Sequence, residues 1–140
     1  MKRKKLIVFS MVMLVLLSFG CSQKSPEGAS AVKTITLDSE TEIPPETCAE
    51  RGLCDKVVML ESEYCGHCRI AEPILKEIAQ EKGLDLEFLD VSKKEGRTVM
   101  ESHGINVKYT PTLIAGCAVY IGSKSKEEYV QIIDKFIEAR

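Results

Sequence analysis

From residue 32 onward, apolar positions repeat with a period of two in some segments and with a helical period in others. The alternating or continuously apolar segments are rich in β-branched residues, which is typical of strands. We therefore predict strands at residues 32–37, 56–61, 84–91, 111–115 and 118–121. Gly116 and Cys117 separate the last two strands, and this spacing indicates a hairpin.

Two segments in the middle of the chain have the apolar spacing of helices. The first ends at Lys82-Gly83, and its apolar stripe consists of Ile70, Ile74, Leu75, Ile78 and Ala79. The second covers residues 95–103 and is ended by Gly104. The polar segment 46–55, which follows Pro44-Pro45, fits either a short helix or a loop.

A last amphipathic helix is predicted at residues 125–139, where Ser125 and Glu128 form a capping box. Its inward-facing residues are expected to be Val130, Ile133, Phe136 and Ile137. Strands thus alternate with helices until a final hairpin and helix. This order indicates an α/β fold, with a central sheet flanked by α-helices.

The first 20 residues follow a different pattern. Four basic residues precede an apolar run at residues 6–17, and a small-residue end leads to Gly20-Cys21. The run is shorter than the roughly 20 residues of a membrane-spanning helix, so residues 1–20 are interpreted as an export signal. Such a signal can be a lipoprotein signal, an uncleaved anchor, or a signal that is cleaved to release a free protein. All three possibilities place the rest of the chain outside the cytoplasm.

Gly20-Cys21 resembles the end of a prokaryotic lipoprotein signal, in which the cysteine becomes lipid-modified. This resemblance implies lipidation of Cys21 and a protein anchored to the cell membrane on its extracytoplasmic side. Residues 21–31 are small and polar, so they are expected to form a tether between membrane and domain.

The net charge of the chain limits which classes of macromolecule it can bind. The formal net charge is −2, and it falls to −6 without the four basic residues at positions 2–5. A mildly acidic body has no basic surface field for nucleic acid. We therefore exclude nucleic acid as a partner.

Cys65, Gly66, His67 and Cys68 form a CxxC motif between a predicted strand and a predicted helix. Two intervening residues at a helix start bring the two sulfurs within bonding distance. Free N–H groups and the helix dipole favour the Cys65 thiolate, which is the nucleophile in disulfide exchange. Cys68 lies one turn inside and would resolve a mixed disulfide, while the partly positive His67 would further stabilise the thiolate.

The CxxC motif has three other possible interpretations. A zinc site needs about four ligands, and the sequence has no second CxxC and only His103 as a further histidine, so no metal is predicted. A haem-attachment motif requires histidine after the second cysteine, where Arg69 stands. A purely structural disulfide is the third alternative.

The sequence resembles the thioredoxin superfamily over about residues 55–139. Tyr64 precedes the CxxC, and Pro73 lies eight residues after Cys65, where this family kinks its active-site helix. Thr110-Pro111 opens a strand and matches the family's cis-proline loop. The CGHC sequence itself is similar to that of protein disulfide isomerases.

The resemblance implies a thioredoxin fold, with a central mixed β-sheet flanked by α-helices, in a domain at residues 32–140. It also implies substrate binding by Tyr64, Thr110 and Pro111, with a cis bond before Pro111 that presents the Thr110 backbone to an extended chain. The redox-active Cys65–Cys68 disulfide would serve without any other cofactor.

The sequence departs from the family at a carboxylate. The family often buries one six residues before the first cysteine, where it takes the proton of the second cysteine, but this position is Met59. Glu61 is expected on the same side of the strand and is the candidate replacement.

Three further cysteines lie outside the motif. Cys48 and Cys54 are six residues apart, and we expect them to form a structural disulfide in a loop or broken helix, because a straight helix would hold them too far apart. A second redox pair that relays electrons to Cys65 and Cys68 is the alternative. Cys117 fits a small buried hydrophobe, a bridge to Cys48 or Cys54, or a third redox thiol.

These predictions indicate an extracytoplasmic, membrane-anchored thiol–disulfide oxidoreductase. Its partners would be thiols and disulfides of secreted or membrane proteins, with a membrane protein as electron donor. Reduction, oxidation and isomerisation are all compatible with the residues, because the direction depends on redox poise. The alternative is a metal- or thiol-binding module without turnover.

Overall fold

The computed structural model describes residues 33–140. The predicted signal at residues 1–20, Cys21 and the tether lie outside the described residues. The strands are β1 (Ile35–Leu37), β2 (Thr41–Glu42), β3 (Val57–Glu61), β4 (Leu86–Asp90), β5 (Ile105–Val107), β6 (Thr112–Ala115) and β7 (Ala118–Ile121). The helices are α1 (Pro45–Glu50), α2 (Gly66–Lys82), α3 (Lys94–Ser102) and α4 (Lys126–Glu138).

Five strands form the main sheet, in the order β2-β7-β6-β3-β4. Strands β3 and β4 are parallel, with Met59 opposite Phe88. The pairs β3–β6, β6–β7 and β7–β2 are antiparallel. The sheet is therefore mixed, as predicted, and β1 and β5 form a separate parallel pair.

The continuously apolar sequence of β3 is explained by burial on both faces of the sheet. Val58 and Leu60 point into one core cluster, together with Cys48 and Met100. The alternate residues of β3 belong to the opposite cluster, whose members are Val57, Met59, Cys68, Ala71, Leu75, Ile78, Leu113, Ala115, Tyr129, Ile133 and Phe136. Helices α2 and α4 therefore pack on the second face.

The last helix confirms the predicted capping box, since the Ser125 hydroxyl accepts from the Glu128 N–H and the Glu128 side chain accepts from the Ser125 N–H. Its inward face is only partly as predicted. Ile133 and Phe136 are buried, but Ile137 is 40% exposed, and Tyr129 is buried instead. Residues 129, 133 and 136 form the stripe that faces the sheet, and at about 100° per residue Ile137 lies to one side of it.

The short elements were not all predicted. The segment 46–55 contains the short helix α1, which was one of its two interpretations. Strands β2 and β5 have two and three residues, which is too short for a periodic pattern.

A buried arginine holds the β1–β5 pair to α1. The Arg51 guanidinium donates hydrogen bonds to the carbonyls of His103 (2.9 Å), Gly104 (2.7 Å) and Lys33 (2.6 Å). His103 Nδ1 lies 2.6 Å from the Arg51 carbonyl oxygen, so this nitrogen carries the proton. His103 therefore stabilises the fold and does not offer Nδ1 to a metal.

Candidate active site

The CxxC motif lies where β3 is followed by α2. Cys65 is the N-cap of α2 in an extended conformation, and its backbone N–H donates to the Ser62 carbonyl at 2.9 Å. A disulfide joins Cys65 to Cys68, with Cα atoms 5.2 Å apart. Gly66 and His67 occupy the first two positions of the helix, and both are exposed.

The two cysteines differ in exposure and in their hydrogen-bonding surroundings. Cys65 is half-buried, whereas Cys68 is only 2% exposed. The Cys68 N–H donates to Cys65 Sγ at 3.1 Å. A negative charge on Cys65 would therefore receive a hydrogen bond and the field of the helix N-terminus, while Cys68 would stay shielded.

A second loop closes over Cys65. The Thr110–Pro111 peptide bond is cis, as expected. The Thr110 carbonyl oxygen lies 3.4 Å from Cys65 Sγ, so it can accept a hydrogen bond when Cys65 is a thiol. The Thr112 hydroxyl fixes this loop by donating to the Tyr109 carbonyl at 2.8 Å.

Large apolar side chains near the site are exposed to solvent. Tyr64 is 80% exposed, Ile70 57% and Tyr109 48%. Tyr64 is predicted from the sequence, whereas Tyr109 is not, although the position of Tyr109 next to Thr110-Pro111 could have indicated it. Such side chains can bind the apolar residues of an extended or unfolded chain.

Glu61 stays the candidate for the carboxylate expected near Cys68. Met59 is fully buried in the same cluster as Cys68, and Glu61 follows two residues later on the same side of β3. Burial raises the pKa of Glu61, and the negative charges of Glu72 and Asp90 raise it further, against the smaller opposing effect of two lysines.

Glu61→Gln should change how stability depends on pH. Because the pKa of Glu61 is raised in the folded state, the folded protein binds more protons than the unfolded chain just above pH 4.5. The stabilisation of the folded state by protonated Glu61, relative to its ionised form, is fully present below pH 4.5. It is lost as the pH rises through the folded-state pKa of Glu61. Urea denaturation between pH 4 and 7 should show a shallower decline for Glu61→Gln than for the wild type. Glu87→Gln, which removes an exposed carboxyl from β4, is the control for the loss of one carboxyl group, and equal slopes for Glu61→Gln and the wild type would contradict the raised pKa of Glu61.

Comparison with known proteins gives the family of this site. The thioredoxin family model matches residues 53–135, which include the CxxC motif and the cis-proline loop. The chain belongs to the thioredoxin family. It is similar to the thioredoxins of Listeria monocytogenes and Listeria innocua, each 32% identical over 79 residues, 53% of this chain and 75% of the relative. It is also similar to the chloroplastic M-type thioredoxin of Chlamydomonas reinhardtii, 31% identical over 77 residues, 53% of this chain and 55% of the relative.

Membership of the thioredoxin family supports a thiol–disulfide redox function for this domain. The mixed sheet, the CxxC at a helix N-terminus and the adjacent cis-proline are the structural features of that function here. Within residues 33–140, no helix is both long and apolar enough to cross a membrane.

The remaining cysteines correct one prediction. The structure joins Cys48 to Cys117, with Cα atoms 5.5 Å apart, and not to Cys54, which is a free, exposed thiol. The turn between β6 and β7 brings Cys117 next to α1, where the Ile43 N–H donates to the Cys117 carbonyl at 2.8 Å. The predicted 48–54 disulfide is therefore wrong, because sequence proximity of two cysteines does not fix their pairing. The bridge to Cys48, one of the three interpretations of Cys117, is the one formed.

Proposed function

We propose that this chain is an extracytoplasmic, membrane-anchored thiol–disulfide oxidoreductase that exchanges disulfides through Cys65 and Cys68. The observation that carries the exchange chemistry is the asymmetry of the pair, and the anchoring is supported by the sequence at residues 1–21. Cys65 is accessible at a helix N-terminus beside the Thr110 carbonyl, whereas Cys68 is buried one turn further in.

The reaction starts from the dithiol form when the protein acts as a reductant. The Cys65 thiolate attacks one sulfur of a client disulfide, a mixed disulfide forms, and the other client sulfur leaves as a thiolate. Cys68 then loses its proton and attacks Cys65, which releases the second client thiolate and forms the Cys65–Cys68 disulfide. The reverse sequence oxidises a client dithiol, so the direction follows from the redox poise of the partners.

Client binding is proposed for the surface around Cys65. Tyr64 and Tyr109 would contact apolar side chains of the client, and the backbone at Thr110 and Pro111 would pair with its extended main chain. Protein thiols and disulfides of secreted or membrane proteins are the proposed clients. A membrane protein would supply electrons, and Glu61 is the candidate acceptor of the Cys68 proton.

Cys68→Ser should convert the enzyme into a trap. Attack by Cys65 still forms the mixed disulfide, but the resolving thiol is gone, so covalent client adducts should accumulate. Non-reducing gels of cells that express the variant would show bands that disappear on reduction, and Cys65→Ser/Cys68→Ser is the matched control without adducts. A folded Cys68→Ser protein that forms no client adducts would contradict the exchange mechanism and favour a binding module without turnover.

Cys21→Ala should test the proposed anchor. The Gly20-Cys21 junction supports lipid attachment at Cys21, which would hold the domain at the membrane. We expect the wild type in the membrane fraction with Cys21 as its modified N-terminal residue, and Cys21→Ala as unprocessed precursor or released protein. Fractionation and mass spectrometry of the N-terminus measure both. A wild-type protein that retains Met1 would overturn the lipoprotein proposal.

A further inference from the structure

Three sulfurs lie close together at the end of the main sheet where β3 begins, opposite the end that carries the active site. Cys48 is fully buried, Cys117 is half-buried and Cys54 is exposed. Cys54 Sγ lies 3.6 Å from Cys48 Sγ and 3.9 Å from Cys117 Sγ. This cysteine cluster (Cys48, Cys54 and Cys117) is the only group of three or more His, Cys, Asp or Glu side chains with metal-site spacing among residues 33–140.

The cluster is separated from Cys65 by the length of β3. Cys54 precedes this five-residue strand, and Ala115, close to Cys117, is paired with its first residue, Val57. Cys65 follows its other end. At about 3.3 Å per residue the two sulfur groups are more than about 13 Å apart, so a direct electron relay between them within one copy is excluded.

The position of Cys54 differs from that of an attacking thiol. Displacement at a disulfide sulfur needs the nucleophile on the extension of the S–S bond, where its distances to the two sulfurs differ by about 2 Å. Here the two distances, 3.6 and 3.9 Å, are nearly equal. Cys54 therefore lies beside the bond, at the third corner of a triangle.

A triangle of sulfurs with these distances fits a metal ion. With metal–sulfur bonds of about 2.3 Å, thiolates around one ion are separated by about 3.8–4.0 Å. Both Cys54 distances are already close to this value. Only the Cys48–Cys117 pair must separate, and reduction of its disulfide would permit that.

We propose that reduction of the Cys48–Cys117 disulfide opens a three-thiolate site for a single Cu(I) ion in the cysteine cluster. Thiolates select soft ions, and Cu(I) is stable with three of them, whereas structural Zn²⁺ takes four ligands. Three thiolates and Cu(I) carry a net charge of −2. Lys135, Arg140 and Glu42 line the same cavity as Cys54 and Cys117, so the side chains of this cavity carry a net charge of +1 that offsets part of the −2.

Reduction of the Cys48–Cys117 disulfide requires an external dithiol. A dithiol gives two electrons and two protons to the Cys48–Cys117 bond, so two thiols form and the dithiol becomes a disulfide. Binding of Cu(I) then displaces three thiol protons, and the copper does not change oxidation state. In the oxidised protein only Cys54 is available, so the site binds copper in one redox state and not in the other.

A three-cysteine protein tests this proposal independently of the proposed enzyme activity. Replacing Cys21, Cys65 and Cys68 with serine leaves only the cluster, because the chain has six cysteines. The protein is reduced with dithiothreitol, which is then removed without oxygen, and titrated with Cu(I) against a chromophoric chelator. We expect one Cu(I) per reduced chain and none per oxidised chain.

Cys54→Ser in this background is the decisive variant, because it keeps both disulfide partners and changes only an exposed side chain. It should weaken Cu(I) binding at least about 100-fold while leaving the urea midpoint of the oxidised protein unchanged. Unchanged affinity in Cys54→Ser, or less than one Cu(I) per reduced parent chain, would overturn the proposal. So would Zn²⁺ that Cu(I) does not displace, or a reduced parent that is unfolded by circular dichroism and does not refold with Cu(I).

Discussion

Cys65→Ser should reduce catalysed disulfide exchange at least about 1,000-fold, to the rate of the chemical reductant alone. The thiolate of Cys65 is both the attacking group and the leaving group, and a serine hydroxyl supplies neither at neutral pH. Such a loss corresponds to more than about 4 kcal/mol of transition-state stabilisation. The measurement is the rate of insulin reduction driven by dithiothreitol, with equal amounts of each protein.

Cys54→Ser is the matched control for this experiment. Like Cys65→Ser, it replaces one accessible sulfur with oxygen, but Cys54 lies at the opposite end of β3 from the active site. The rate of insulin reduction by Cys54→Ser should therefore equal that of the wild type. If Cys65→Ser kept most of its activity while Cys54→Ser lost it, the cysteine cluster and not the CxxC motif would be the site of exchange.

The parts of the structure that were predicted depend on local pattern. The first four residues of β3 are apolar because they are buried on both faces of the sheet, and α4 starts at a capping box that is complete within four residues. Cys65 and the cis-proline Pro111 lie 46 residues apart, yet each has its own local signal, and the family resemblance brings them together. The structure places the two in contact, with the Thr110 carbonyl oxygen 3.4 Å from Cys65 Sγ.

The parts that were missed depend on long-range packing. Cys117 pairs with Cys48 across 69 residues, because the turn between β6 and β7 lies next to α1 in the fold. No local sequence pattern indicates that these two segments are neighbours. The inward position of Tyr129, with Ile137 at the edge, follows from how α4 is rotated against the sheet. Burial of Arg51 likewise requires the carbonyls of His103 and Gly104, which are more than 50 residues away.

Loss of the Cys48–Cys117 disulfide should lower the free energy of unfolding by about 2–4 kcal/mol. The bridge closes a loop with a sequence separation of 69 residues, and a crosslink of this span restricts the unfolded chain strongly. The variant must also lack Cys54, because its sulfur lies 3.6 Å from Cys48 and would form a replacement bridge. We therefore compare Cys54→Ser/Cys117→Ala with Cys54→Ser, which retains the native disulfide, by urea denaturation without reductant.

The single variant Cys117→Ala measures how the stabilisation by a disulfide depends on the length of the loop that it closes. Cys48 can then pair with Cys54, but a loop of six residues restricts the unfolded chain less than one of 69, by about 2 kcal/mol in the chain-entropy relation. Its stability should therefore fall between those of the two Cys54→Ser proteins, and peptide mapping should find the new 48–54 bridge. Equal stability of Cys54→Ser and Cys54→Ser/Cys117→Ala, or mapping that finds Cys54 bridged in the wild type, would show that Cys48–Cys117 is not the disulfide that stabilises the fold.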